Sequence, residues 1–563
     1  MKKDILLYHI IYILFLNLSF SQNIHLKLKG TDSVSESFLS KISFKKSFED
    51  LKSLQNEIDN IKKEALNLGY FNSHFPSKTK TNDSSYLQRA TLNFRYKKIT
   101  INYNNVQISD SELNNILDES SEINVNNFTT HTKQLKNNLN NIIKHLSNKG
   151  KVFSNIQLNN IRINTKKVSA DLFMEISETN YITNIKIKGY EKFPKKFIKH
   201  YLRIKKQKTL NLKDLEEKSE GVNNLLFASE LKKPEILFTK DSTIIYLYLK
   251  KQKSNSFEGY LGFSTNEQSS KLELNGNINL QLINNLNSGE ELHLKYQSTE
   301  NEQKHTNIKL KLPYLFNSPF SLEGELDIFK KDSSFTNNTQ AIHTNYTISR
   351  NIKTGIGLEF NSSNSLIKNA TNSEDFKRKG YAFSFEHRKP NKQNNLFPYK
   401  TKTTLKLTLA TRKTALQKTP QQNIFISSEY IFKLNKKNSF FLKSENYYLF
   451  SKTTLENELH YIGGINSIRG LTENSIPSSQ YSIINSEYRI ELNKTLYTHT
   501  VIDYAITKNN TNNDFDNIFG FGIGFGLRTN NNLLRFIFAN SKIKKEQIKF
   551  SDSKIHLSLS TKF

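Results

Sequence analysis

The sequence predicts an arm of small α+β repeats followed by an all-β transmembrane barrel of about sixteen antiparallel strands. Three observations carry that prediction. The N-terminal part repeats an order of amphipathic helix, glycine and strand-like tail. From Phe257 onward, apolar and polar residues alternate with a period of two. Beyond the first residues no run of about 18 apolar residues occurs, so a membrane crossing must be made by strands closed into a barrel.

Lys2 and Lys3 precede an apolar run from Ile5 to Leu18, and Ser19-Phe20-Ser21 supplies small residues before Gln22. This is the layout of a secretory signal peptide over residues 1–21. The first repeat, 22–97, carries Leu51, Leu54, Ile58, Ile61, Ala65 and Leu68 at alternating three- and four-residue steps, one face of a helix. Gly69 stands where a helix ends in a left-handed residue, and Tyr70 and Phe71 open a strand-like tail. The second repeat, 98–179, has the same order in Leu135, Leu139, Ile142 and Leu146, then Gly150, then Val152 and Phe153. Gly69 and Gly150 stand 81 residues apart, the period of a repeated small fold. The third repeat, 180–253, opens with a strand in Tyr181–Tyr190, passes through a helix near Leu212–Leu226 with no glycine at its end, and closes on Ile244–Leu249.

The barrel is expected over 254–563. Ile308, Leu310, Leu312 and Tyr314 alternate with Lys309, Lys311 and Pro313, and Tyr381, Phe383 and Phe385 alternate with Ala382, Ser384 and Glu386. Half of each barrel strand faces a wet lumen, so a hydrophobic content of only 36% suits an embedded chain. Without Trp, the interfacial aromatic girdles fall to the 25 Tyr and 39 Phe. Eleven of the strands precede Arg469, and the last, Ile555–Phe563, ends on an aromatic residue.

Lys+Arg outnumber Asp+Glu by 81 to 52, a net charge of +29. The lysines are dispersed among asparagines rather than gathered on a basic helix, which fits solvated strand ends and anionic lipid headgroups and argues against nucleic acid. The absence of Cys excludes disulfides, thiolate chemistry and a lipid-modified cysteine anchor. No nucleophile elbow, phosphate-binding loop, zinc-ligand helix or dinucleotide fingerprint occurs, and Gly520–Gly526 opens no helix. His499 and His556 read as isolated lumen-facing residues. Neither an enzyme nor a metal or other cofactor is expected.

The segment Ile462-Gly463-Gly464-Ile465-Asn466-Ser467-Ile468-Arg469-Gly470 lies in a long loop between alternating segments. It resembles the sixth-loop motif, an aliphatic residue followed by Arg-Gly, of the BamA/TamA-type bacterial surface antigen superfamily. The three N-terminal repeats resemble the POTRA modules of that superfamily, and their number makes the layout nearest to TamA. The resemblance implies that Ile468, Arg469 and Gly470 fold back into the barrel lumen, where the arginine meets carboxylates. Strand parity supplies two candidates. Ile484, Tyr488, Ile490 and Leu492 share one face of their strand, which turns Glu487 to the other, and Leu496, Ile502 and Tyr504 do the same for Asp503. A planar guanidinium suits two such acids better than an ammonium does. In the next strand Phe519, Phe521, Ile523, Phe525 and Leu527 face lipid, leaving Gly520, Gly522, Gly524 and Gly526 on the lumen wall. These read as a groove for the Arg469 loop, or else as a strand made to curve.

The resemblance further implies an outer-membrane assembly or translocation factor with a periplasmic arm. Its expected partners are unfolded outer-membrane or secreted client proteins, membrane lipids, and an inner-membrane-anchored periplasmic partner or other assembly subunits. The physical device would be a seam between the first strand, Phe257–Ser264, and the last, Lys554–Phe563, involving Gly259, Gly262, Ile555, Leu557, Leu559 and Phe563. Lipid does not satisfy an open strand edge, so a parting seam favours a client strand. The periplasmic sheets would hold extended clients by the same edge pairing. Two other classes stay open: a transport pore or receptor with a periplasmic arm, and a lipid-transfer or tethering partner.

Overall fold

The computed structural model describes residues 23–164, 167–265, 272–298, 303–366, 373–391, 394, 396–397, 399–508, 514–529, 531–544 and 548–563. The signal-peptide segment 1–21 lies outside the described residues. The chain divides into two compact units, one running to Tyr181 and including Thr209–Lys213, the other made of Ile182–Lys208 and Asp214–Phe563.

The first unit holds two small sheets with their helices. In one, strand Ile24–Gly30 pairs parallel with Ser85–Ala90, and helix Leu51–Asn67 buries Leu54, Ile58, Ile61 and Ala65. In the other, a five-stranded sheet is packed by helix Thr132–Asn148 through Ile142 and Leu146. Gly69 and Gly150 are left-handed, with φ of 98° and 84°. The strand-like tails expected at Tyr70–Phe71 and Val152–Phe153 are absent. Instead the N–H of Tyr70 bonds back to the Ala65 carbonyl and that of Lys151 to Leu146, each 3.0 Å, so both residues complete the helix ends and are not free to enter a sheet. The next strand after Gly150 starts only at Asn155.

The second unit begins with a three-stranded sheet in the order Asn184–Lys188, Thr243–Lys251, Ala228–Phe238. Helix Lys195–His200 was not foreseen from the sequence. The later helix stops at Glu220 rather than Leu226, and Gly221–Asn224 continues as a 3-10 turn. Gly221 is closely approached by the Arg350 guanidinium, which leaves no room there for a side chain.

Sixteen antiparallel strands then close a barrel. They are β1 (Ser256–Thr265), β2 (Leu272–Ile283), β3 (Glu291–Ser298), β4 (Lys304–Leu312), β5 (Phe320–Lys331), β6 (Phe335–Thr347), β7 (Ile352–Ser365) and β8 (Phe376–Pro390). The second half is β9 (Tyr399–Lys413), β10 (Lys418–Lys433), β11 (Asn438–Ser451), β12 (Gln480–Glu491), β13 (Leu496–Lys508), β14 (Phe515–Arg528), β15 (Asn532–Ile543) and β16 (Lys554–Lys562). As the alternation predicts, eleven strands precede the Arg469 loop. Outward positions such as Ile356, Tyr381, Ile502 and Ile523 are exposed for lipid, while polar neighbours point inward.

Tyr314 departs from the alternation that placed it on a strand. β4 ends at Leu312, before Pro313, and Tyr314 takes a left-handed φ of 54°. Its ring sits edge-on to Phe197 at 4.9 Å and is stacked by His200, whose Nε2 lies 2.7 Å from the Asn317 carbonyl oxygen. The neighbouring barrel turns join the same contact. Tyr190 Oη accepts from Asn284 Nδ2 at 2.7 Å, and Arg350 Nη1 donates to the Glu217 carbonyl at 3.0 Å. The third small sheet is therefore fixed to the turn-bearing end of the barrel by three turns at once.

Candidate functional site

The connection between β11 and β12 enters the lumen. A short hairpin, His460–Ile462 with Ile476–Ser478, carries a tip shaped by three left-handed glycines: Gly463, Gly464 and Gly470, with φ of 115°, 96° and 96°. Ile468 is fully buried with Ile462, Tyr481, Ile483, Ala505 and Ile518, an apolar anchor that fixes where the next side chain emerges.

That side chain is Arg469, 4% exposed. Its backbone N–H and its Nε both donate to Asp503 Oδ2 at 2.9 Å, Nη2 donates to Asp503 Oδ1, and Nη1 to Glu487 Oε1. Asp503 is 1% exposed and Glu487 8%. The fork thus meets one carboxylate two-handed and a second with its remaining nitrogen, a geometry that a single ammonium cannot reproduce. Glu487 is shared: its Oε2 accepts from Arg489 Nε at 2.7 Å. The Arg489 guanidinium lies between two rings, 4.2 Å from the Phe397 centroid and 4.0 Å from that of Phe441. Two arginines and two carboxylates form one alternating cluster, which balances charge where water is scarce.

Only part of the expected glycine groove receives the loop. A Cβ on Gly520 would stand 2.6 Å from the Arg469 carbonyl oxygen. At Gly524 it would meet His499 Nε2 at 2.5 Å, and at Gly526 Tyr497 Cε1 at 2.1 Å. The groove reading therefore fails for Gly524 and Gly526. Their cross-strand partners on β13 are His499 and Tyr497, and each ring folds over the glycine opposite it. Gly522 lies against the backbone of β15, with Phe538 O at 2.1 Å from the same hypothetical atom. On the loop side, a Cβ on Gly470 would stand 2.4 Å from the Asn540 carbonyl carbon, so the loop also rests on β15.

The seam residues fall on the two closing strands. β1 and β16 pair through Ser256, Phe257 and Glu258 against Lys562, Thr561 and Ser560. Phe563 N–H adds a bond to the Asn255 carbonyl at 3.0 Å, and Arg535 Nη2 lies 3.5 Å from Glu258 Oε1. Gly259, with φ of 142°, follows the last pair, and Gly262 pairs with Asn275 of β2. Ile555, Leu557, Leu559 and Phe563 are exposed on the lipid side.

Three contributors escaped sequence reasoning. Arg489 shares the lumen parity of Glu487, a signal that was present. Phe397 comes from the turn between β8 and β9 and had no such signal. His556 accepts a 3.4 Å bond from the Gly470 N–H, which ties the loop to the last strand. Among the described residues no group of His, Asp and Glu could hold a metal ion.

Residues 284–563 match the Omp85 superfamily domain. The structure of CdiB from Acinetobacter baumannii aligns with 91% of this chain and 97% of its own, at 15% identity and a TM-score of 0.52. CdiB from Escherichia coli aligns over the same shares at 11% identity and a TM-score of 0.52. BamA from Haemophilus ducreyi lacking POTRA domains 1–3 aligns over 76% of this chain and 93% of its own, at 15% identity and a TM-score of 0.48. No curated protein matches by sequence. The Omp85 domain, the sixteen-stranded closed barrel and the POTRA-like units before it make this chain a member of the Omp85 superfamily, with its barrel in the outer membrane and its N-terminal units in the periplasm.

Proposed function

We propose that this protein inserts or exports client proteins through a lateral seam between β1 and β16. The observation that carries the reading is the shortness of that seam. Three residue pairs join β1 to β16, whereas ten join β1 to β2 and eight join β15 to β16. Among the described residues no further pairs join the two edges past Glu258. An unsatisfied backbone group in hydrocarbon costs several kcal/mol, so an extended client segment that pairs with either edge is stabilised there. Membership of the Omp85 superfamily supports the same class of activity. In the third periplasmic sheet, edge strand Asn184–Lys188 presents Ile185 and Ile187 beside Lys186, Lys188, Lys195 and Lys199, which supports a role in holding an extended chain on its way to the seam.

The test is a crosslink. Phe257→Cys and Thr561→Cys introduce thiols at opposed positions of one antiparallel pair, within disulfide reach, and the chain has no other cysteine. Purified protein in liposomes is given a urea-denatured small outer-membrane barrel, and folding of that client is followed by its heat-modifiable gel migration. Oxidation should stop client folding and reductant should restore it. Unchanged insertion with the seam fully oxidised would reject lateral opening and favour a pore or receptor whose lumen conducts without parting its wall.

A further inference from the structure

The Arg469 cluster holds the inner end of the loop on one wall of the barrel. Its contacts are Glu487 on β12, Asp503 on β13, Gly520 on β14, Asn540 on β15 and His556 on β16. A second buried arginine holds the other end of the same loop on the facing wall. Arg412, at the end of β9, has a fully buried side chain and donates from Nη1 to Glu458 Oε2. It also bonds Thr453 Oγ1 at 2.7 Å and the Thr453 carbonyl at 3.2 Å. The other oxygen of Glu458 accepts from Gln421 Nε2 on β10 at 2.6 Å. Next to it, Asn457 Nδ2 donates to Ser363 Oγ on β7 at 2.7 Å, and the Asn457 carbonyl accepts from Asn337 Nδ2 on β6 at 2.7 Å. Lys331 on β5 reaches Glu456 at 3.2 Å.

Two features separate this pair from ordinary lumen polarity. First, besides the 3.3 Å bond from Arg412 Nη2 to Thr419 Oγ1 on the neighbouring strand β10, it joins the wall to the loop, which the barrel ladder does not do. Second, taking two charges out of water is unfavourable unless the geometry is good and the remaining hydrogen bonds are met, and such pairs are best explained where they select one conformation. The strand ends that carry Asn337, Ser363, Arg412 and Gln421 lie at the end of the barrel opposite the turns that hold the third periplasmic sheet. The loop therefore bridges the lumen at its outer end, from the β5–β10 wall to the β12–β16 wall.

We propose that Arg412 and Glu458 form a second latch, separate from Arg469, that keeps this bridge in place and seals the outer mouth of the lumen against small solutes. The proposal does not rest on client insertion and survives its failure. The experiment measures efflux of a small sugar from liposomes containing the full-length protein, with heat-modifiable migration as the check that each barrel is folded. Arg412→Glu and Glu458→Arg should each raise efflux at least about tenfold, because each breaks a buried pair, and the neutral Glu458→Gln should leak to a lesser degree. The double exchange Arg412→Glu with Glu458→Arg should return efflux close to wild type. Arg469→Ala should free the loop tip to protease while leaving 453–461 protected. Folded single variants that stay as tight as wild type would overturn the proposal, as would a leak that the double exchange fails to reduce.

Discussion

Replacing Arg469 with alanine removes three side-chain hydrogen bonds at once, and the structure shows where the penalty falls. Glu487 keeps Arg489, 2.7 Å away, as a counter-charge. Asp503 loses both nitrogens of the fork and retains the 2.9 Å bond from the loop backbone. A nearly inaccessible carboxylate is then left without its cation, and breaking a buried pair in this way costs about 3–5 kcal/mol. At about 1.4 kcal/mol per decade, loop docking should weaken by a hundredfold to a few thousandfold. The barrel itself should remain folded, because its ladder makes no use of Arg469. Hydrogen exchange of segment 463–475 in detergent, beside heat-modifiable migration, reads both effects. Arg469→Lys should recover little, since one ammonium does not span Asp503 and Glu487. Adding Asp503→Asn to Arg469→Ala should recover part of the docking by removing the stranded charge. Wild-type exchange in Arg469→Ala would refute the reasoning, and an unimproved double variant would refute the assignment of the penalty to Asp503.

Two further predictions concern other parts of the chain. Gly520→Leu should raise protease access to the loop tip, whereas Gly524→Leu should displace the His499 ring and leave the loop protected; equal effects at both positions would count against the division of the glycine strand. In the second periplasmic repeat, Lys149, followed by the Ser109 N–H, draws the Glu112 carboxyl down from 4.5 to about 2. A depressed acid contributes stability that is present above about pH 4.5 and lost as pH falls towards about 2. Lys149 is half exposed, so the gain should be only about 1 kcal/mol. Glu112→Gln should flatten the pH dependence of hydrogen exchange in helix Asp110–Ile116, and an unaltered profile would remove this pair from the account.

Strand parity made much of the barrel legible. A period of two transmits orientation without error along a strand, so Ile484 and Tyr488 facing outward is enough to turn Glu487 inward, and Ile502 and Tyr504 do the same for Asp503. Facing is not contact, however. Which glycine meets the loop depends on how side chains lean between strands, and His499 and Tyr497 occupy the space that parity alone assigned to the loop. Helix ends were misread for a related reason. Gly69 and Gly150 correctly mark the left-handed residue, but the following N–H groups are drawn back to the helix carbonyls rather than onward into a strand. Phe397 reaches Arg489 from a distant turn, and Arg412 meets Glu458 where the loop lies against the wall that carries it. Such pairings depend on the curvature of the closed wall, which no local pattern encodes.

The bond from the Gly470 N–H to His556 carries a thermodynamic obligation. One end belongs to the loop and the other to the strand that closes the barrel, so neither can change state without altering the free energy of the other, and by equal amounts in the two directions. At 3.4 Å it is a long bond, worth about 1 kcal/mol at most. Loop docking and β16 closure therefore bias one another by no more than about fivefold through this contact. For the proposed opening of the seam, this contact makes the loop a tuner and not a lock.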